Sequence, residues 1–296
     1  MKECNYKYKY YKIGGHTLCL RFGHNTYDES LLPSFSPFEV DSANGQILFI
    51  LTLTSAIVSE DTSMRSYNCG GCIVKMNRTE DNAYFVEIQD QSQKVCAKMI
   101  AKNDFQNVEV ALPTLDWKKK NFGLNCAMMI AFAYACADKH TILMHASVIR
   151  NQEKGYLMIA PSGTGKSTHT RMWYDHIPGC DLINDDNPVV RVINGEVTVY
   201  GSPWSGKTPC YRNVNSLVGA IVRIVRSSEN SIKGLPPVQA FTQLLNSTSN
   251  MKWDERTYRG ICDTISEVVN LVSVYELKCL PNADAARLCF QTVSMR

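Results

Sequence analysis

Gly155-Tyr156-Leu157-Met158-Ile159-Ala160-Pro161-Ser162-Gly163-Thr164-Gly165-Lys166-Ser167-Thr168 is the stretch that decides the fold: an apolar run ends in a glycine-punctuated loop, and Thr168-His169-Thr170-Arg171-Met172-Trp173 continues as a helix. The residue types suit a triphosphate. Gly163 and Gly165 let the backbone bend until its N–H groups point inward, Lys166 supplies a point charge for the outer phosphates, and Ser167 offers a hydroxyl to Mg²⁺. The following helix adds its positive end to the cradle. Ala160 stands where the common pattern has glycine, and its small side chain still permits close backbone approach. Ser162, Gly163, Thr164, Gly165, Lys166, Ser167 and Thr168 are therefore expected to hold ATP, with Mg²⁺ on Ser167.

Two further segments converge on this loop. Residues 141–149 and 155–160 are apolar and separated by the polar turn 150–154, a long hairpin signature. Folded symmetrically about residue 152, the hairpin sets His145 opposite Ile159, one residue before the loop. A lone histidine in an apolar strand is also compatible with a hydrogen-bonded core residue. Downstream, Cys180-Asp181-Leu182-Ile183-Asn184-Asp185-Asp186-Asn187-Pro188 is an apolar strand ending in adjacent carboxylates. A Mg²⁺-nucleotide site needs such acids at the carboxyl ends of its strands. Side chains of neighbouring residues diverge there, so Asp185 is expected to reach the metal shell while Asp186 faces the acceptor as a general base, the two roles being exchangeable. The loop Gly201-Ser202-Pro203-Trp204-Ser205-Gly206-Lys207-Thr208-Pro209 offers Lys207 as further charge over the phosphates, and reads equally as a tight turn with a solvated lysine.

The chain has 296 residues, 45% apolar and 20% charged, which is ordinary globular composition with room for two domains. A formal charge of +3 is too weak for a nucleic-acid footprint. Lys7-Tyr8-Lys9-Tyr10-Tyr11-Lys12 reads first as a strand with a solvated basic face. No apolar run reaches bilayer length and the amino terminus lacks the apolar stretch of a secretory signal, so a cytoplasmic protein without membrane contact is expected. Cysteines such as Cys126, Cys136, Cys262 and Cys289 lie in apolar segments, as reduced cysteine does when used as a small hydrophobe. Cys69-Gly70-Gly71-Cys72 has metal or redox spacing, yet no second pair or histidine accompanies it, and a thiol pair at a hairpin turn is the leading reading.

Residues 1–120 read as an antiparallel β-rich domain, with strands near 12–21, 46–52, 72–76, 83–88, 94–100 and 107–112. Residues 125–136, apolar nearly all round, predict a buried helix. Residues 121–296 alternate strands and helices as an α/β domain does. Helices are predicted near 166–175, 236–246, 254–269 and 282–293, and strands near 141–149, 155–160, 181–184, 189–193, 196–201, 216–226 and 271–278.

Met144-His145-Ala146-Ser147, then the loop 160–167, then Ile183-Asn184-Asp185-Asp186, in that order, resembles the kinase domain of HPr kinase/phosphorylase and, more distantly, the nucleotide domain of ATP-dependent phosphoenolpyruvate carboxykinase. The resemblance covers about 140–210 in motif and 121–296 in architecture. It implies a carboxykinase-like P-loop fold with a mixed sheet, Mg²⁺ on Ser167, metal binding and base catalysis by Asp185 and Asp186, and His145 at the active centre. Loop and length also resemble the HPr-kinase-like proteins of bacteria, some of which accompany peptide-modification clusters. Such families often assemble into homo-oligomers.

The leading expectation is an ATP-dependent kinase moving the γ-phosphoryl group to a hydroxyl on a protein, a peptide or a small molecule, with Lys166 on the phosphates. A nucleotide-binding switch or scaffold with little turnover, and a carboxykinase-like reaction on a small acid, are the alternatives. The guanine-reading Asn-Lys-x-Asp motif and the Leu-Ser-Gly-Gly-Gln transporter signature are absent.

Overall fold

The structure, a computed structural model, describes residues 6–23, 28–43, 45–58, 64–69, 71–206 and 208–295. The chain divides into two compact units, Met1–Ala135 and Cys136–Arg296. The sequence placed this division near residue 120, which falls inside a helix. Asp116 caps that helix by accepting from the amide of Lys118 at 2.8 Å, starting it well before the apolar run that signals it.

The first unit comprises β1 (Tyr6–Ile13), β2 (His16–Gly23), β3 (Glu39–Val40), β4 (Ile47–Thr54), β5 (Arg65–Asn68), β6 (Ile73–Arg78), β7 (Tyr84–Gln89), β8 (Val95–Lys102), β9 (Asn107–Ala111) and α1 (Trp117–Ala135). The strands form one sheet in the order β3-β1-β2-β4-β9-β8-β7-β6-β5. The sheet is mixed and not antiparallel as expected, because β4 runs parallel to both β2 and β9. Alternating hydropathy fixes which face of a strand is buried but leaves the direction of its neighbour open. The run 12–21, read as one strand, is split by a turn at Gly14-Gly15 into β1 and β2. The basic segment 7–12 does lie in a strand, with Lys7 and Lys12 exposed and Tyr11 buried. Cys69 and Cys72 close the β5–β6 hairpin, and among the described residues no cluster of His, Cys, Asp or Glu has metal-site geometry. Cys136 and Cys289 are fully buried, which raises both thiols, whereas Cys126 and Cys262 are only half-buried.

The second unit runs β10 (Thr141–Leu143), β11 (Ala146–Asn151), β12 (Lys154–Ile159), α2 (Lys166–His176), β13 (Cys180–Asp186), β14 (Val189–Ile193), β15 (Glu196–Tyr200), β16 (Asn215–Arg226), β17 (Ser231–Gly234), α3 (Pro237–Asn246), α4 (Glu255–Leu271), β18 (Val274–Cys279) and α5 (Ala283–Ser294). Each helix predicted from 166 onward is present. The starts of α4 and α5 are set by Asp254 and Asn282, whose side chains accept from the amides of Thr257 and Ala285. Such caps contribute about 1 kcal/mol each.

The sheet is mixed, in the order β10-β14-β15-β16-β12-β11-β13, with β18 beside β16 and β17 beside β18. β12, β16 and β18 are mutually parallel, so their carboxyl ends meet at one edge of the layer. Side chains alternate between two cores. Leu157 and Ile159 pack with Leu244 of α3 and Ile261, Ile265 and Val268 of α4. Tyr156 and Met158 pack on the other face with Trp173 of α2 and Ala285, Ala286 and Cys289 of α5. The result is a three-layer arrangement with both sheet faces covered. Among the described residues, no helix is long and apolar enough to cross a membrane.

Candidate functional site

The loop lies at the carboxyl end of β12. Gly163 (φ 76°) and Gly165 (φ 127°) take backbone conformations that side-chain-bearing residues rarely adopt. Among the described residues no side chain accepts from the first amides of α2 at its Gly165 cap, in contrast to the starts of α4 and α5. Ser162, Gly163 and Thr168 are exposed and Thr164 is half-buried. The Thr164 amide donates to the Pro161 carbonyl at 3.2 Å, a tight turn inside the loop.

Lys166 is only 8% exposed. Its Nζ donates to the Ala160 carbonyl at 3.1 Å and lies 2.9 Å from His145 Nε2. Burial pushes the Lys166 amine below its ordinary range, and the charges of Asp186 and Asp185 oppose that shift.

Register across three strands brings the acids level with the loop. Ala146 pairs with Ile159 on one side and with Asp186 on the other, and Ser147 pairs with Asp185. His145 therefore sits one residue beyond the pairing expected for it. The hairpin turns at Gln152-Glu153, with Asn151 opposite Lys154, so its centre lies half a residue past 152 and the register moves by one. The predicted strand 141–149 also breaks at Met144-His145 into β10 and β11. There the Met144 amide donates to the Pro188 carbonyl at 3.1 Å, and the His145 amide to the Ser247 carbonyl at 2.6 Å, just past α3. The break frees the imidazole from the strand alternation and turns it onto the site.

Consecutive strand residues face opposite sides, which separates the two carboxylates. Asp185, 3% exposed, accepts the Ser167 hydroxyl through Oδ1 at 2.8 Å, while its Oδ2 is buried with no partner among the described residues. Asp186 turns the other way: Oδ1 lies 3.1 Å from His145 Nε2, and Oδ2 accepts from the Asn187 side-chain amide at 3.0 Å. Its backbone is strained, at φ 142°. His145 Nε2 thus lies between a cation and an anion. With the ring proton on Nδ1 it accepts from Lys166, and with a proton on Nε2 it donates to Asp186.

No protein-family model and no curated protein matches the sequence. Among solved structures the chain is similar to the HPr(Ser) kinase/phosphatase from Coxiella burnetii, at 11% identity and a TM-score of 0.31, the match covering 51% of this chain and 93% of that one.

The loop 201–206 closes the carboxylate side. Ser205 Oγ donates to the Asp185 carbonyl at 3.1 Å, and the Gly206 amide donates to the same oxygen. A Cβ at Gly206 would stand 3.1 Å from both the Asp185 carbonyl oxygen and Asp186 Cβ, a tight approach that a larger residue could make only if these neighbours gave way by a few tenths of an ångström. Lys207, expected over the phosphates, lies outside the described residues.

Three contributors were not foreseen from the sequence. Asn187 orients Asp186. Asn184, fully buried, donates to the Ser202 and Trp204 carbonyls at 3.3 and 3.2 Å and accepts from the Asn187 amide at 3.0 Å, tying the closing loop to the carboxylate turn. Arg226, the last residue of β16, binds the loop carbonyls of Gly163 and Thr164. The sequence carries no local signal for Arg226, because the parallel pairing of β16 with β12 that brings it to the loop leaves none.

Proposed function

We propose that the protein is an ATP-dependent kinase that transfers the γ-phosphoryl group to a hydroxyl of a protein, a peptide or a small molecule. The observation that carries this reading is the convergence of a buried lysine, a serine hydroxyl hydrogen-bonded to a buried carboxylate with one oxygen unpartnered among the described residues, and a second carboxylate facing away from the first. The free oxygen of Asp185 and the Ser167 hydroxyl fit a magnesium ion, an oxygen-seeking cation that would satisfy the unpartnered atom. When bound, Mg²⁺ neutralises charge on the phosphoryl oxygens.

The chain's own residues supply the rest. Loop amides at the start of α2 and the Lys166 ammonium hold the phosphates. Asp186 takes the proton of the acceptor hydroxyl, and His145 holds that carboxylate in place and can receive the proton from it. Asn187 fixes the Asp186 rotamer from the other oxygen.

Incubation of the purified protein with γ-labelled ATP and cell extract, followed by identification of the labelled species, tests the reading. The Asp185→Asn, Asp186→Asn double variant should still bind ATP and label nothing. Labelling by that variant at the wild-type rate would overturn the assignment. Slow ATP hydrolysis with no labelled acceptor would instead favour a nucleotide-operated switch.

A further inference from the structure

We propose that Arg226 is a positioning residue for the phosphate cup, holding the outer carbonyls of the loop so that its inner amide faces the ligand. This rests on the reading of residues 160–168 as a triphosphate cradle.

β16 lies beside β12 in parallel, with Arg223 opposite Ile159, so its end passes the point at which β12 gives way to the loop. Arg226 stands there. Its Nε donates to the Thr164 carbonyl at 3.0 Å, and an Nη2 hydrogen goes to the Gly163 carbonyl. A trans peptide is planar with its C=O and N–H opposed, so pinning a carbonyl outward fixes the next amide inward. The Gly163 carbonyl fixes the Thr164 amide, which donates to Pro161 inside the loop. The Thr164 carbonyl fixes the Gly165 amide, at the mouth of α2.

The loop needs this outside restraint. Gly163 and Gly165 have no side chains with which to hold their conformations, and both sit at positive φ, where glycine has wide freedom. Among the described residues no side chain caps α2. The planar guanidinium fork can engage two neighbouring carbonyls at once, which a lysine ammonium cannot do in a fixed geometry.

Titrations of ATP and ADP into wild type, Arg226→Ala and Arg226→Lys test the proposal, together with hydrogen–deuterium exchange of the loop without nucleotide. Loss of two charge-assisted hydrogen bonds should weaken ATP and ADP alike in R226A, by about tenfold. KM for ATP should rise while kcat at saturation holds. Loop exchange should quicken several-fold in R226A with no ligand present, and R226K should recover only part of the loss. Weakening of ATP with ADP unchanged would mean that Arg226 acts as a charge on the γ-phosphate, which overturns the proposal, as would full recovery in R226K or unchanged loop exchange. A wild type that binds neither nucleotide would remove the underlying cradle and this inference with it, whereas wild-type binding retained in R226A would sink the inference alone.

Discussion

Asp185 gives one carboxylate oxygen to the Ser167 hydroxyl at 2.8 Å and keeps the other buried with no partner among the described residues. A buried polar atom left unsatisfied costs about 1–3 kcal/mol, more when it is charged. A cation at that oxygen would recover the cost, so binding should be linked to folding. At a hundred times its dissociation constant, Mg-ATP should stabilise the fold by about 2.7 kcal/mol. For a unit of this size that corresponds to a rise of roughly 5–10 °C in melting temperature. Asp185→Asn should abolish the magnesium-dependent part of the rise and keep any shift seen with ATP in EDTA. Equal magnesium-dependent shifts in both proteins, measured by scanning fluorimetry, would remove Asp185 from the metal shell.

Lys166 carries a buried charge that its neighbours only partly meet. Its ammonium is buried against a carbonyl and an imidazole, and desolvation leaves that charge under-compensated. A charge-assisted hydrogen bond to phosphate is worth about 1.5–3 kcal/mol. Lys166→Met should therefore weaken ATP by about ten- to a hundredfold while raising the melting temperature of the free protein, since a buried charge is replaced by an apolar chain of similar length. Calorimetric titration and a thermal melt on the same preparation check both halves. A variant that binds ATP as well as wild type would exclude Lys166 from the phosphates.

Much of the candidate site's arrangement was legible because its residues are contiguous. The loop, its lysine and its serine occupy successive positions, so spacing alone fixes their geometry. The adjacent acids at the end of an apolar strand are equally local. What escaped depends on register and on distant pairing. The hairpin shifted by one residue because Gln152 takes a positive φ and makes a tight turn with Glu153, a choice that no alternation of hydropathy records. Arg226 reaches the loop from a strand paired across the sheet, and that adjacency is set by parallel pairing, which leaves no local trace. The parallel neighbours of β4 were hidden for the same reason. α1 began early because a single Asp116 cap outweighs the polar composition of its first turn.

His169 gives the second unit a defined acid sensitivity. It is 3% exposed in α2, and burial lowers it from its ordinary 6.5 to about 4. The indole Nε1 of Trp173 donates to its Nε2 at 3.2 Å, so the neutral ring carries its proton on Nδ1. Because the folded value lies below the unfolded one, the unfolded chain binds the proton first. Stability is full above pH 6.5 and falls as the pH drops towards 4, by roughly 3 kcal/mol over that window. In His169→Gln, whose amide oxygen can still accept from the indole, this component of the slope should vanish. Urea midpoints followed by Trp fluorescence between pH 7 and 4.5 provide the comparison. Parallel curves for the two proteins would place the acid sensitivity elsewhere.

Asp186 is held at φ 142° by the bridge between its backbone and Ser205 and by its pairing with Ala146. Such a conformation costs a residue with a side chain about 1–3 kcal/mol, a strain that persists where the surrounding structure over-determines it. Two truncations separate the strain from the side-chain contacts. Asp186→Ala and Asp186→Gly lose the same links to His145 and Asn187, and both should lose phosphoryl transfer. Only glycine adopts the backbone conformation freely. In ordinary backbone, alanine is the more stable of the two by about 0.4–1 kcal/mol, because glycine loses more entropy on folding. Here the order should reverse, with the glycine variant more stable than the alanine variant by about 1 kcal/mol or more. Denaturation midpoints of the pair decide it. If alanine were the more stable, the backbone at Asp186 would be relaxed, and the carboxylate would be held by its side-chain partners alone.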